Sequence, residues 1–499
     1  MRSSIVWPVL ICASSLMAVA QQPIESSPDE MNKRIEKLES EVSELKQIVH
    51  ELQTRLPAGN GAAPMLAVAR TTSAPNAALI PVVFSNSLPN GAVELASRSV
   101  PVQAPVVEAP PENVITTGDR KTLEFLRNTT LNLEVDTYYE YNFNNPVGRV
   151  NLLRAYDVLS NEFSLNQADA ILDHEPDVSA GRRWGARLDL QFGQATDTLQ
   201  GNPTNEPRPE IYRNIFQAYG TYVVPLGKGL NVDFGKWSSS LGIEGNYTKD
   251  QMNYSRAFWF DFLPFYHMGA RVNYPVNDRF TLNYWIINGT NQVEATNGYK
   301  DELFGWIAKP TKSVTWTLNY YRGQEHPDRA PATNCGPVPV QPGLCFVAIT
   351  PAPNGLTNIF DSYASWQATS KLTLAAEGDY FTQRLWEHSG PGEPADPKHT
   401  DGGAAYLQYQ FSPKLAFAAR TEYMADQGAL FSGISQALKE GTATLRYQVT
   451  GGLLMFYEFR RDFSNQPTFL SDMQGMFRKD QTTATLGLVW WWGRKEGAW

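Results

Sequence analysis

Between residue 129 and residue 492, stretch after stretch of the chain alternates apolar and polar side chains with a period of two. The clearest stretch is Tyr266, Met268, Ala270, Val272 and Tyr274, then the turn Pro275-Val276-Asn277-Asp278, then Phe280, Leu282, Tyr284 and Ile286. His267, Gly269, Arg271, Asn273, Thr281 and Asn283 fill the alternate positions. Successive side chains of a strand point to opposite faces, so one face is apolar and the other polar. The same figure, strand, short turn, strand, recurs around Pro225–Gly229, Pro310–Ser313, Thr369–Lys371, Ser412–Lys414 and Thr450–Gly452. Many such strands with no amphipathic helix between them share one sheet. Apolar outside and polar inside, around a closed sheet, describes a water-filled barrel in lipid.

Strands are expected at about 129–141, 158–172, 184–195, 211–224, 229–237, 265–275, 279–289, 302–309, 314–322, 358–368, 371–383, 402–411, 415–424, 441–449, 453–463 and 481–492. That is an all-β transmembrane antiparallel barrel of about 16 strands. Longer polar segments, 196–210, 237–264, 289–301, 323–357, 385–401, 425–439 and 464–480, separate the hairpins. Short turns belong on the periplasmic side and long loops outside. An even strand number then leaves both termini in the periplasm.

Ahead of the barrel (118–499) the pattern changes twice. Met31, Ile35, Leu38, Val42, Leu45, Val49, Leu52 and Leu56 alternate spacings of four and three. This is a coiled-coil seam within a periplasmic segment 21–56. Its β-branched and Leu core positions favour dimers by the simple rule, whereas Ile48 widens the apolar face and porin analogy favours trimers. A lone amphipathic helix is the plainer alternative. Pro57 stops the helix, and residues 57–117, rich in Pro, Ala, Val, Ser and Asn, read as a linker.

Composition refines this picture. The 499-residue chain carries a net charge of −9, which argues against a nucleic-acid partner. A mean hydropathy of −0.35 would suggest a soluble chain. A membrane strand, however, needs only about 9–11 residues, half of them apolar. The 13 Trp and 22 Tyr suit interfacial girdles. Arg2, the apolar run Ile5–Met17 and Ala18-Val19-Ala20 form an export signal over 1–20. Cys12 lies in that signal, and Cys335 and Cys345 share one Pro/Gly-rich segment of a chain bound for an oxidising compartment. A disulfide between them is expected.

One stretch carries a family likeness. Phe234-Gly235-Lys236, Leu241-Gly242-Ile243-Glu244, Asn253-Tyr254-Ser255-Arg256, Pro264, His267 and Gly269-Ala270-Arg271 stand in an order that resembles the β-barrel porin-2 (OmpL-like) family. The resemblance implies a bacterial outer-membrane barrel with a pore function. Such barrels usually finish on a terminal aromatic; here Trp492 ends the alternation and Trp499 ends the chain, so either could serve as the assembly signal.

Enzymatic chemistry is not expected. The histidines at 50, 174, 267, 326, 388 and 399 have no zinc-ligand spacing, and no nucleophile elbow or P-loop is present. No cofactor and no metal are expected. Strand parity turns Glu134, Asp136, Glu140, Asp189, Asp233, Asp361, Glu377, Asp379, Glu422 and Glu458 inward, with Arg187, Arg271, Arg420, Arg446 and Arg460. Ten acids against five bases lean the lumen toward cations or neutral solutes. The segment 237–264 holds too much apolar surface to stay in water: Trp237, Tyr247, Tyr254, Phe258, Trp259, Phe260 and Phe262. Folded into the lumen, it makes a constriction with Lys236, Glu244, Lys249, Arg256, Asp261, His267 and Arg271, Arg256 being paired with an inward acid. Three functions compete: a diffusion porin for small hydrophilic solutes, a substrate-preferring sugar or ion channel, and a tether to the cell wall through residues 21–117. The expected partners are outer-membrane lipid, small solutes or ions, and further copies of the chain, as a trimer or a dimer.

Overall fold

The computed structural model describes residues 116–499 apart from 126, 128, 200–205, 207, 326–327, 332–345, 349–355, 385–396, 494 and 496–497. The expected signal, coiled coil and Cys335–Cys345 disulfide, with nearly all of the expected linker, lie outside the described residues.

Sixteen strands close into one antiparallel barrel in which each pairs with its neighbour in sequence. They are β1 (Thr129–Asn142), β2 (Glu162–His174), β3 (Trp184–Phe192), β4 (Ile215–Val224), β5 (Leu230–Ser238), β6 (Tyr266–Asn277), β7 (Phe280–Ile287) and β8 (Asp301–Thr311). There follow β9 (Val314–Gln324), β10 (Leu356–Gln367), β11 (Leu372–Arg384), β12 (Pro397–Ser412), β13 (Leu415–Asp426), β14 (Gln436–Thr450), β15 (Leu453–Ser464) and β16 (Asp480–Gly493). β16 returns to β1 with Asn132 opposite Gly493 and Asn142 opposite Thr483. Closure removes the unpaired strand edges that lipid cannot satisfy.

Alternation explains the two faces. On β1, Asn132, Glu134, Asp136, Tyr138 and Glu140 are buried inside, while Leu131 and Tyr141 are exposed outside. Exposed aromatics ring both ends of the outer face. Trp184, Tyr222, Trp366, Phe411 and Trp492 lie toward the short turns, and Tyr141, Phe163, Tyr380, Tyr423 and Phe463 toward the long loops. Their amphipathic rings suit the two interfaces of a bilayer.

The second strand starts four residues later than the pattern suggests, at Glu162 rather than 158. Residues 143–161 instead form a loop in which Asn145, Arg149, Leu153 and Asn161 take left-handed backbone conformations, which interrupt a strand. The loop carries Arg154, Tyr156 and Asp157 into the barrel, where all are buried. Sequence reading also missed the helix Thr117–Phe125 ahead of β1. Its start is a Thr/Asp capping arrangement: Asp119 N–H donates to Thr116 Oγ1 (3.1 Å) and Thr116 N–H to Asp119 Oδ2 (2.8 Å).

The infolded segment and the candidate pore lining

Residues 239–265 leave β5 at the long-loop end and enter the lumen. Backbone N–H groups there have no ladder to join and need other acceptors. The inward carboxylates supply them. Gly242 N–H donates to Asp361 (3.2 Å) and Ile243 N–H to Glu377 (3.1 Å), on β10 and β11. Across the lumen, Thr248 N–H donates to Glu134 (3.0 Å) and its hydroxyl to Asp136 (2.7 Å), both on β1. Tyr247 OH donates to Asp189 on β3 (2.5 Å). On the return, Tyr254 and Ser255 N–H donate to the two oxygens of Glu458 (2.6 and 2.9 Å). Phe258 and Trp259 N–H, in the short helix Phe258–Phe262, then donate to those of Glu422 (2.8 Å each). The segment thus crosses from one wall to the opposite one and back.

Apolar side chains fill the space between these anchors. Phe258, Trp259 and Leu263 pack with Trp237, Trp285, Phe381 and Phe431 in one buried cluster, and Tyr247 packs with Tyr156 and Phe216 in another. Gly487 on β16 is needed for the fit, since a Cβ there would lie 2.3 Å from the Tyr254 ring. At the tip, Lys249 bonds Asp250 (2.7 Å) and lies over the Trp499 ring (4.2 Å). Trp499 N–H donates to Asp250 (3.2 Å). The chain end thus meets the infolded segment, while Trp492 stays on the outer face.

The residues expected at a constriction fall into three groups. Glu244 pairs with Arg420 (2.7 Å), which also bonds Glu440 (2.8 Å) and the Ser255 carbonyl (2.7 Å). Arg256 is in the same network but, among the described residues, is not paired with an acid as expected. Its guanidinium donates to the carbonyls of Gly245 (3.0 Å), Tyr254 (2.7 Å) and Asn246 (2.9 Å), and lies over the Tyr156 ring. Nearby carboxylates already accept other donors, Asp136 the hydroxyls of Thr248 and Tyr254 and Glu134 the Thr248 N–H, so carbonyls take the guanidinium instead. Arg460 closes the network by donating to the Arg256 carbonyl and to Asp462 (2.7 Å).

A second group lies on the β5–β6 wall. Arg271 pairs with Asp233 (2.6 Å) and stands 4.9–5.7 Å from the ring centres of Trp237, Tyr219 and Trp285. Lys236 donates to the Ile215 carbonyl (2.7 Å) and covers the Tyr266 ring. His267 is buried between Ser239 and Gly289, 3.0 Å from each. The third group is the tip, where Arg446 on β14 bonds Gln408 (2.7 Å) and the Lys249 carbonyl (3.2 Å). Asp261 is half-buried beside the first group. Burial pushes its carboxyl up to about 7, against the pull of Arg460.

All ten acids that parity turns inward are buried. Arg187 pairs with Asp189 (2.9 Å). The inward side chains that keep partial exposure, among them Thr221, Arg271, Asn273, Ile307, Ser365, Thr373 and Gln408, gather toward the short-turn end. Parity reading passed over Asp462, although it shares its face with Glu458 and Arg460. It could not find Arg154, which reaches Asp462 (2.8 Å) from the first long loop, because loop residues carry no period.

A closed sixteen-stranded barrel, apolar outside and charged within, with a loop folded across its lumen, defines an outer-membrane β-barrel of the porin class. Residues 128–490 match the family described as "Putative beta-barrel porin-2, OmpL-like", and the chain belongs to it. No curated protein matches the chain. Among solved structures, a loop-deleted OmpT, an outer membrane protein of Vibrio cholerae, is 9% identical with a TM-score of 0.44, over 73% of this chain and 99% of that one. In-vitro-folded OmpT in its trimer form is 10% identical with a TM-score of 0.42, over 73% and 99%. The outer membrane channel DcaP of Acinetobacter baumannii is 9% identical with a TM-score of 0.43, over 73% and 97%.

Proposed function

We propose that the protein lets small hydrophilic solutes and ions diffuse passively across the outer membrane, with the infolded segment 239–265 setting the width of the path. The observation that carries this is the route of that segment from Asp361 and Glu377 across to Glu134 and Asp136. The short-turn end faces the periplasm, where the chain termini lie and the coiled coil of 31–56 holds several copies together, three by porin analogy or two by the core pattern. Ion preference leans toward cations or neutral solutes by the excess of inward acids, and is weak because many of those acids accept N–H groups of the segment. Purified full-length protein in planar bilayers tests this. Discrete open-channel steps with a small reversal potential are expected, and the absence of conductance from folded protein refutes it.

The aromatic surround of Arg271 favours a second reading, a channel that prefers a sugar or an anion. Rings beside a fixed cation offer stacking and charge together. Block of the ion current by one class of solute at low concentration distinguishes this channel from a general pore.

A further inference from the structure

Three inward carboxylates converge on one point of the wall with no basic side chain among them. Asp361 on β10 stands directly opposite Asp379 on β11, and Glu377 follows two residues away on the same face. Each offers an oxygen, and these three oxygens lie within 4.8 Å of one another. Like charges directly opposed across a strand pair destabilise a sheet. Asp361 accepts Gly242 N–H and the Asn319 amide (2.7 Å); Glu377 accepts Ile243 N–H and the Tyr406 hydroxyl (3.0 Å). Asp379 differs. It is 5% exposed, and both of its carboxylate oxygens are buried without a hydrogen-bond partner while lying against the other two acids. No ion pair reaches any of the three among the described residues. Asp189, Asp233, Glu440 and Asp462, by contrast, each have an arginine.

We propose that Asp361, Glu377 and Asp379 bind one divalent cation of the calcium type inside the barrel. The donor set is all oxygen and all anionic, which suits hard cations and not zinc or copper. Oxygens up to 4.8 Å apart can share an ion whose ligands stand about 2.3–2.6 Å away. Calcium accepts an irregular set completed by water, whereas magnesium demands a near-regular octahedron. Histidine and cysteine spacing could not have signalled such a site; the signal lies in two acids of equal parity on β11 facing a third on β10. The same carboxylates hold Gly242 and Ile243, so the ion fastens the infolded segment where it enters the lumen.

The test is calcium titration by calorimetry of full-length protein, refolded in detergent free of lipopolysaccharide and stripped with chelator. One ion per chain is expected, with a Kd on the order of 10⁻⁴–10⁻³ M. Asp379→Asn and Glu377→Gln, each checked for a heat-modifiable folded band, should weaken binding by about tenfold or more. Asp278→Asn, on an exposed turn beside Lys228, should leave it unchanged. Should neither lumen variant fold, terbium luminescence on the wild type, excited through Tyr363 and Tyr406, replaces them. A saturable signal displaced by calcium supports the site, and its absence overturns it. Wild type without saturable binding at millimolar calcium, or folded Asp379→Asn that binds as wild type does, also overturns it. Binding is read without any current, so this result and the conduction result stand apart.

Discussion

Replacing Arg420 by alanine should release the first half of the infolded segment. Arg420 is buried and its guanidinium holds Glu244 of the segment, Glu440 of the neighbouring strand, and both the carbonyl and the hydroxyl of Ser255. Removing it leaves Glu244 without its ion pair inside the barrel; Glu440 keeps Arg460, at 3.8 Å. Breaking a buried pair from one side costs about 3–5 kcal/mol, since one charge stays behind unpaired. At 1.4 kcal/mol per factor of ten, that shifts the seated-to-released ratio by roughly two to three and a half orders of magnitude. The loss falls on the segment more than on the wall, because β13 keeps its ladders to β12 and β14. Glu422 and Glu458 still hold residues 254–259, so the release is local to about 242–248. Single-channel recording should show a larger mean conductance with added flicker, while the heat-modifiable band of the folded barrel persists. Arg420→Lys keeps the charge but loses the fork, and should fall between the two. A folded Arg420→Ala channel with wild-type conductance and noise would refute the view that this network positions the constriction.

Deleting residues 246–258 should raise conductance further, and unchanged conductance would place the constriction elsewhere. Asp261 should give a pH dependence. Its carboxyl is pushed up to about 7 from an ordinary value near 3.8, so the folded protein binds its proton more tightly than the unfolded chain does. Stability from this group is therefore present at low pH and is lost as pH rises toward 7; between pH 6 and 8 the lumen gains negative charge and cation preference should increase. Reversal potentials across that range measure the shift, and Asp261→Asn should reduce it. Asp at Leu38, Leu45 and Leu52 together should weaken oligomers in cross-linking gels while the barrel stays folded; an unaltered oligomer would assign the heptad another contact. Trp492→Ala should slow membrane assembly more than removal of Trp499, because Trp492 lies on the outer face of the last strand and Trp499 packs against Lys249; the reverse order in an assembly time course would exchange their roles.

Strand positions were legible because period two is a local property. Each residue of Leu131 to Tyr141 declares its own face without reference to the rest of the chain. The sixteen expected strands and the closed barrel of sixteen agree for that reason. The late start of β2 was not legible, because left-handed turns at Leu153 and Asn161 fall on residues with no glycine to mark them. The length and aromatic content of 237–264 indicated burial, yet parity could not tell which wall each side chain meets. The partner of Arg256 differs from the expected acid on that account: the neighbouring acids accept other donors of the segment, and the guanidinium meets carbonyls, which a side-chain inventory does not count.

That commitment changes how the lumen charge should be read. A count of ten acids and five bases treats every inward carboxylate as facing water. Asp361, Glu377, Glu134, Glu458 and Glu422 instead accept backbone N–H groups of the infolded segment. A loop inside a barrel cannot borrow a neighbouring strand for those groups, and an unpaired buried N–H costs about 1–3 kcal/mol. Carboxylates accept two or more such bonds, so an excess of inward acids is what a barrel with a long infolded loop requires. The field along the water path then comes from the fewer charges left half-exposed, Arg271 and Asp261 among them. Acid excess in a barrel of this kind is therefore evidence for what fills the lumen before it is evidence for what passes through it.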